Sequence, residues 1–201
     1  MKHVSTRALF EYWNRQRRSR PAPARSDIDP GDIRRVLGDT FLLSADFADE
    51  IRFRLAGTRV CALFAREIKG EAFKSLWSET SAKSVDDLLT AVINEDACVV
   101  AGVVGRTEDG SELELELLLL PLARTDQTRV RALGSLAPLA PPYWLGEMPV
   151  IELELMTLRH IDAGQQDTDS LMFAQANEGP RVRHGLLVYA GGREDGGKAS
   201  R

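Results

Sequence analysis

Residues 112–122, ELELELLLLPL, constrain this chain more than any other stretch. Leu113, Leu115, Leu117 and Leu119 alternate with Glu112, Glu114 and Glu116, the period-two pattern of a strand with one face in a core and the other in water. Past Leu117 the polar face ends, because Leu118 and Leu120 are apolar as well. A strand apolar on both faces must be covered on both. Some other element therefore has to lie across Leu118 and Leu120.

The N-terminus supplies a candidate. Ser5 or Thr6 can cap a helix over about 6–18 in which Leu9, Phe10 and Trp13 form one apolar stripe. The two prolines in SRPAPARS (19–26) favour an extended connector. In DIDPGDIRRVLGD, Asp29 caps, Pro30 takes the first helical position, Gly38 ends the turn, and Ile33, Val36 and Leu37 face inward.

The remaining patterns build a sheet. DTFLLSAD (39–46) and EIRFRLAG (50–57) read as two strands joined by a polar turn, the second with Ile51, Phe53 and Leu55 on one face and Arg52 and Arg54 on the other. Gly57 lets the backbone leave the strand and Thr58 caps a short helix carrying Val60, Cys61 and Phe64. The corner has neither the further glycines and Lys-Ser/Thr of a phosphate loop nor the Ser between glycines of a nucleophile elbow. A glycine turn at 67–77 delivers Phe73, Leu76 and Trp77, and a longer helix at 78–96 turns Val85, Leu88, Leu89 and Val92 inward. ACVVAGVVG (97–105) is apolar on both faces, EDGS (108–111) marks a hairpin, and a turn at 123–128 leads to a strand at 129–139. Consecutive strands with short turns make an antiparallel meander. Beyond residue 145 the pattern weakens to an alternating run at 150–161, a short helical segment near 171–176, a strand at 184–192 and a Gly-rich end without structure.

Chain length and chemistry narrow the class. A chain of 201 residues, 43% apolar, buries one core with extensions rather than two full domains. No apolar run reaches the ~18 residues of a membrane span, and the first residues lack the apolar segment of a signal peptide. Cys61 and Cys98 lie in apolar contexts and read as buried thiols in a reducing cytoplasm. Net charge is −4, yet residues 1–25 carry +6 and the rest −10. Such an arm could meet nucleic acid. No basic-aromatic pattern follows it, and a helix with a solvated basic end, docking on its own acidic body, is the better reading.

No reactive constellation emerges. His3, His160 and His184 have no nearby His or Cys partner, so they read as surface or strand-end residues rather than metal ligands. Glu112, Glu114 and Glu116 share one strand face and read as a solvated ladder, because catalytic carboxylates need environments that split their pKa values.

Strand, strand, three helices and three antiparallel strands is the order of a PAS domain. EYWNRQRRSRPAPARSDIDPGDIRRVLGDTFLL, RFRLAGTRVCALFAREIKGEAF and LPLARTDQTRVRALGSLAPL together resemble a group of small bacterial stand-alone PAS proteins, over about residues 8–145. The resemblance implies an α+β fold: a five-stranded antiparallel sheet with helices on one face, preceded by an amphipathic helix. It divides the chain into an N-terminal helix and connector (1–26), a PAS core (27–145) and a C-terminal extension (146–201). It also implies a non-enzymatic sensory or adaptor module that acts through protein contact or self-association as a homodimer.

Cofactor-bearing relatives set a test. Haem-binding ones use an axial histidine on the long helix, and 78–96 contains none. Flavin photosensors carry Asn-Cys-Arg-Phe-Leu, whereas Cys61 lies in RVCALF, so neither haem nor flavin is expected. A small apolar ligand would lie among Phe53, Leu55, Val60, Phe64, Leu88, Val92 and Leu117. Leu9, Phe10 and Trp13, with Leu118 and Leu120, would form the interface. The rival expectation is a small-molecule-binding enzyme or carrier on an α+β cone, with ionisable side chains pointing into its cavity.

Overall fold

The computed structural model describes residues 1–45, 50–124 and 129–161, together with the backbone of 181–183 and 186–188. The expected helix near 171–176, His184, the Gly-rich end and the centres of the turns at 46–49 and 125–128 lie outside the described residues.

Helix α1 (Val4–Arg17) comes first, then a 3-10 turn at Arg25–Asp27 and another at Leu37–Asp39. Strands β1 (Thr40–Ala45) and β2 (Ile51–Ala56) lead to helix α2 (Thr58–Leu63), a 3-10 turn at Phe73–Leu76 and helix α3 (Glu79–Asn94). Strands β3 (Cys98–Thr107), β4 (Glu112–Pro121), β5 (Val130–Pro138) and β6 (Val150–Ile161) complete the body, with short strands β7 (Arg181–Arg183) and β8 (Leu186–Val188) beyond. The sheet order is β2-β1-β5-β4-β3-β6-β8-β7, antiparallel throughout except for the β6–β8 pair. Its first five strands are the expected set. The 150–161 run, which the resemblance leaves in the extension, adds β6 along the whole of β3.

The sheet separates two cores, as the leucines of β4 require. Leu113, Leu115, Leu117 and Leu119 face α2, α3 and the 64–77 segment, while Leu118 and Leu120, both 0% exposed, face α1 and its connector. The 19–26 stretch is not the extended connector expected: it turns after α1, with Arg20 N donating to the Arg17 carbonyl at 3.0 Å, bends through 20–22 and enters the Arg25–Asp27 turn. Ala22, Ile28, Ile33 and Val36 follow α1 into the outer core.

Several local expectations change. The cap of α1 is His3, whose Nδ1 accepts from the Ser5 amide at 3.2 Å. Ser5 and Thr6 are buried inside the first turn. No α-helix forms over residues 29–38, where Asp29 Oδ1 instead accepts from Gly31 N at 2.8 Å in a short turn. The cap of α2 is Gly57, not Thr58. Gly57 has φ −70°, which any residue adopts, so its reason is space. A Cβ there would stand 2.1 Å from the Leu37 carbonyl oxygen and 2.4 Å from that of Gly38.

Two further corrections concern side-chain direction. Leu55 is 50% exposed and does not line the inner core. The β1–β2 register slips between Leu42, opposite Leu55, and Leu43, opposite Phe53. That bulge absorbs one residue and turns Leu55 away from the face of Phe53. Glu116 does not belong to a solvated ladder: Glu112 and Glu114 are exposed, but Glu116 is only 6% exposed, under the start of α1.

Candidate functional site

Six of the seven residues expected to bound a pocket meet inside the sheet. Phe53 comes from β2, Val60 from α2, Phe64 from the residue that closes it, Leu88 and Val92 from α3, and Leu117 from β4, all buried in one cluster. Phe41, Phe73 and Trp77, which are not among those seven, pack into the same cluster. The centroid distances are 5.4 Å for Phe41–Phe53, 5.5 Å for Phe53–Phe73 and 5.7 Å for Phe73–Trp77. Trp144, from the crossover between β5 and β6, joins the same cluster. The Trp77 indole Nε1 is buried without a hydrogen-bond partner, an unusual state for a donor in a native interior.

The second functional surface is the contact beneath α1. Leu9 and Trp13 are 0% exposed and Phe10 is buried beside them, all packed in the cluster of Leu118 and Leu120. Trp13 Nε1 donates to the Pro121 carbonyl at 2.8 Å, and the Phe10 and Trp13 rings stack at 6.3 Å. The five residues expected to form an interface between copies are thus brought together within one chain. Polar groups fasten the N-terminal end. Glu116 accepts from the Lys2 amide at 2.7 Å and from the His3 amide at 2.9 Å, answering the positive end of the helix with a carboxylate.

Asp39 links the two sides. Its carboxylate is buried and accepts from Ser5 Oγ on α1 at 2.5 Å. It also accepts from Arg59 Nε at 2.6 Å and Nη2 at 2.8 Å, a two-pronged pair with α2. Burial by itself would raise the Asp39 carboxyl, but the hydrogen bonds from Arg59 and Ser5 and the guanidinium charge outweigh it and hold the group below the usual carboxylate range. Asp39 had the sequence signature of a strand-end polar residue only. Its partners lie 34 and 20 positions away, and no local pattern could have announced them.

The other titratable candidates sit apart. Cys61 Sγ lies 3.7 Å from Glu67 Oε2, and burial, then the Glu67 charge, pushes its thiol up. Burial pushes Cys98 up to about 12. Both stay protonated at neutral pH and are poor nucleophiles. His160 is exposed on β6, far along the chain from His3. Among the described residues no group of three or more His, Cys, Asp or Glu side chains is placed to hold a metal ion, and no helix is long and apolar enough to cross a membrane. The basic arm folds back on its own chain: Arg20 pairs with Asp27 at 2.7 Å and Arg17 Nε donates to Asn14. A cleft of about 500 Å³ lies between α1 and residues 31–36, edged by Tyr12, Arg15, Arg34 and Arg35.

Among solved structures, the chain is similar to the PAS domain of a protein from Colwellia psychrerythraea at 17% identity, covering 55% of this chain and 97% of that one with a TM-score of 0.38. It is also similar to the blue-light photoreceptor Aureochrome1 LOV in its light state, at 13% identity, covering 57% and 90% with a TM-score of 0.40. An RNA-binding light-oxygen-voltage receptor matches at 16% identity, covering 62% of this chain and 36% of that one with a TM-score of 0.42. No curated protein matches the chain. The family model described as a PAS domain matches residues 1–137, from α1 through nearly all of β5. The chain belongs to the PAS-domain family.

Proposed function

We propose that this protein is a non-enzymatic sensory module of bacterial signalling, cytoplasmic, which reads a small apolar ligand in its inner core and reports through α1 to a protein partner. The observation that carries the reading is the two-sided sheet: one apolar core under α2 and α3, another under α1, and a shared strand, β4, whose alternate leucines serve both. A displacement of Leu117 or Leu119 by a ligand is felt by Leu118 and Leu120 through the same backbone, because packed interiors transmit small shifts.

Phe53, Val60, Phe64, Leu88, Val92 and Leu117 would bound the ligand. Trp77 Nε1 favours one that brings a hydrogen-bond acceptor, since a buried donor without a partner costs about 1–3 kcal/mol. Neither haem nor flavin is part of the reading. The division of labour follows the chain: residues 1–26 report, 27–145 sense, and the extension from 146 lends β6 to the sheet.

Self-association as a homodimer is the form in which α1 would act on a second copy. Leu9, Phe10 and Trp13 already cover Leu118 and Leu120 within one chain. A dimer built on those five residues must exchange α1 between copies, with the 19–26 connector as the hinge.

Native mass spectrometry of the protein purified from its own host tests both halves. The expected result is a retained small molecule, lost in Trp77→Phe, and a species of twice the chain mass. A protein that carries no added mass and stays monomeric at all concentrations overturns the reading.

A further inference from the structure

We propose that Asp39 is a joint through which the wall of the inner core sets the hold on α1. The proposal rests on the reading of α1 as the reporting element and names what regulates it.

Three features single out this carboxylate. First, it is the place where α1 and α2, on opposite faces of the sheet, meet a common side chain: Ser5 Oγ at 2.5 Å from one, Arg59 Nε and Nη2 at 2.6 and 2.8 Å from the other. Second, α2 and the Leu37–Asp39 turn are packed backbone against backbone. A Cβ on Gly57 would collide with the Leu37 and Gly38 carbonyls, and one on Gly38 would stand 2.8 Å from Arg59 Cζ. Gly57 N also donates to the Thr40 carbonyl at 2.8 Å. Third, Arg59 immediately precedes Val60, which is 0% exposed in the inner core. A shift of α2 that makes room beside Val60 and Phe64 therefore pulls on Arg59, on the Asp39 carboxylate, and on the Ser5 hydroxyl.

The second carboxylate under α1 gives the internal comparison. Glu116 holds the Lys2 and His3 amides from the middle of β4 and, among the described residues, makes no hydrogen bond to α2. It anchors the helix without linking it to the wall. Two carboxylates thus hold the same helix end, and of the two it is Asp39 that couples it to the other face.

Amide hydrogen exchange on the full chain tests this without a ligand, so its failure leaves the mass-spectrometric reading standing. Arg59→Gln should speed exchange at residues 9–13 of α1 by about fivefold or more, while α3 and β4 keep their protection. Ser5→Ala should speed exchange in α2, because coupling between two sites is reciprocal. Ser5→Ala and Arg59→Gln together should do less than the product of their separate effects, whereas Glu116→Gln and Arg59→Gln should multiply. Unchanged exchange in α1 on Arg59→Gln overturns the proposal, as do independent effects of Ser5 and Arg59. So does a uniform acceleration that includes α3 and β4, which would make Asp39 a support of the whole fold rather than a joint.

Discussion

At the scale of single residues, charge does its work here where it is buried. Arg20 and Asp27, both partly exposed, form an ordinary surface pair, of the kind that contributes little to stability. Asp39 is 3% exposed and answers two helices at once. Its carboxyl is held below the usual carboxylate range, so the folded state binds this proton less readily than the unfolded chain does. The stability it contributes is complete above the unfolded value of about 4 and is lost as the pH falls through the folded value. The expected outcome is that Asp39→Asn flattens the acid side of the stability profile below about pH 4 while lowering stability at neutral pH. Urea midpoints measured between neutral pH and the acid limit check it, and an unchanged acid slope would refute it.

At the scale of elements, α1 is an integral layer and not an appended arm. Its stripe closes the outer core, its indole bonds to the Pro121 carbonyl, and its N-terminus is held by a glutamate from the sheet. Trp13→Ala should cost about 3–5 kcal/mol through the cavity it leaves. Trp13→Phe, which keeps most of the packing but strands the carbonyl, should cost about 1–2 kcal/mol. Equilibrium unfolding in urea separates the two, and equal losses would mean that α1 detaches as a unit. Trp13→Glu, which the stripe alone recommends as a probe of self-association, would place a charge in a site that is 0% exposed. It would report the docking of α1 first and any dimer only through that.

At the scale of the whole molecule, the stretch after β5 completes the inner core. Trp144 enters it from the crossover, and β6 adds Leu153 and Leu155. The start of α3 clips onto β6, with Ser78 N donating to the Leu153 carbonyl at 2.9 Å and Leu155 N to Ser81 Oγ at 3.0 Å. Trp144→Ala should therefore destabilise the whole domain by about 3–5 kcal/mol, seen as a single shifted thermal transition. A separate early transition would show instead that the crossover and β6 form their own cooperative unit.

What could be read from the linear order was whatever depends on periodicity. The strand β4, its two leucine faces, the stripe of α1 and the inward face of α3 were all legible, because burial repeats every two or 3.6 residues whatever the partner is. With them came the PAS order of strands, and six of the seven residues expected to bound a ligand do lie together in the inner core. Leu55 escaped because one bulge reverses alternation without leaving any mark in residue type. Glu116 looked like its neighbours Glu112 and Glu114 until α1 was laid over it. Asp39 and Arg59 could not be paired at all from spacing. Hydrogen bonds between groups far apart in the chain follow from which layers the fold stacks, so the two cores were written in the sequence, and the link between them was decided only when α1 and α2 closed on opposite faces of the sheet.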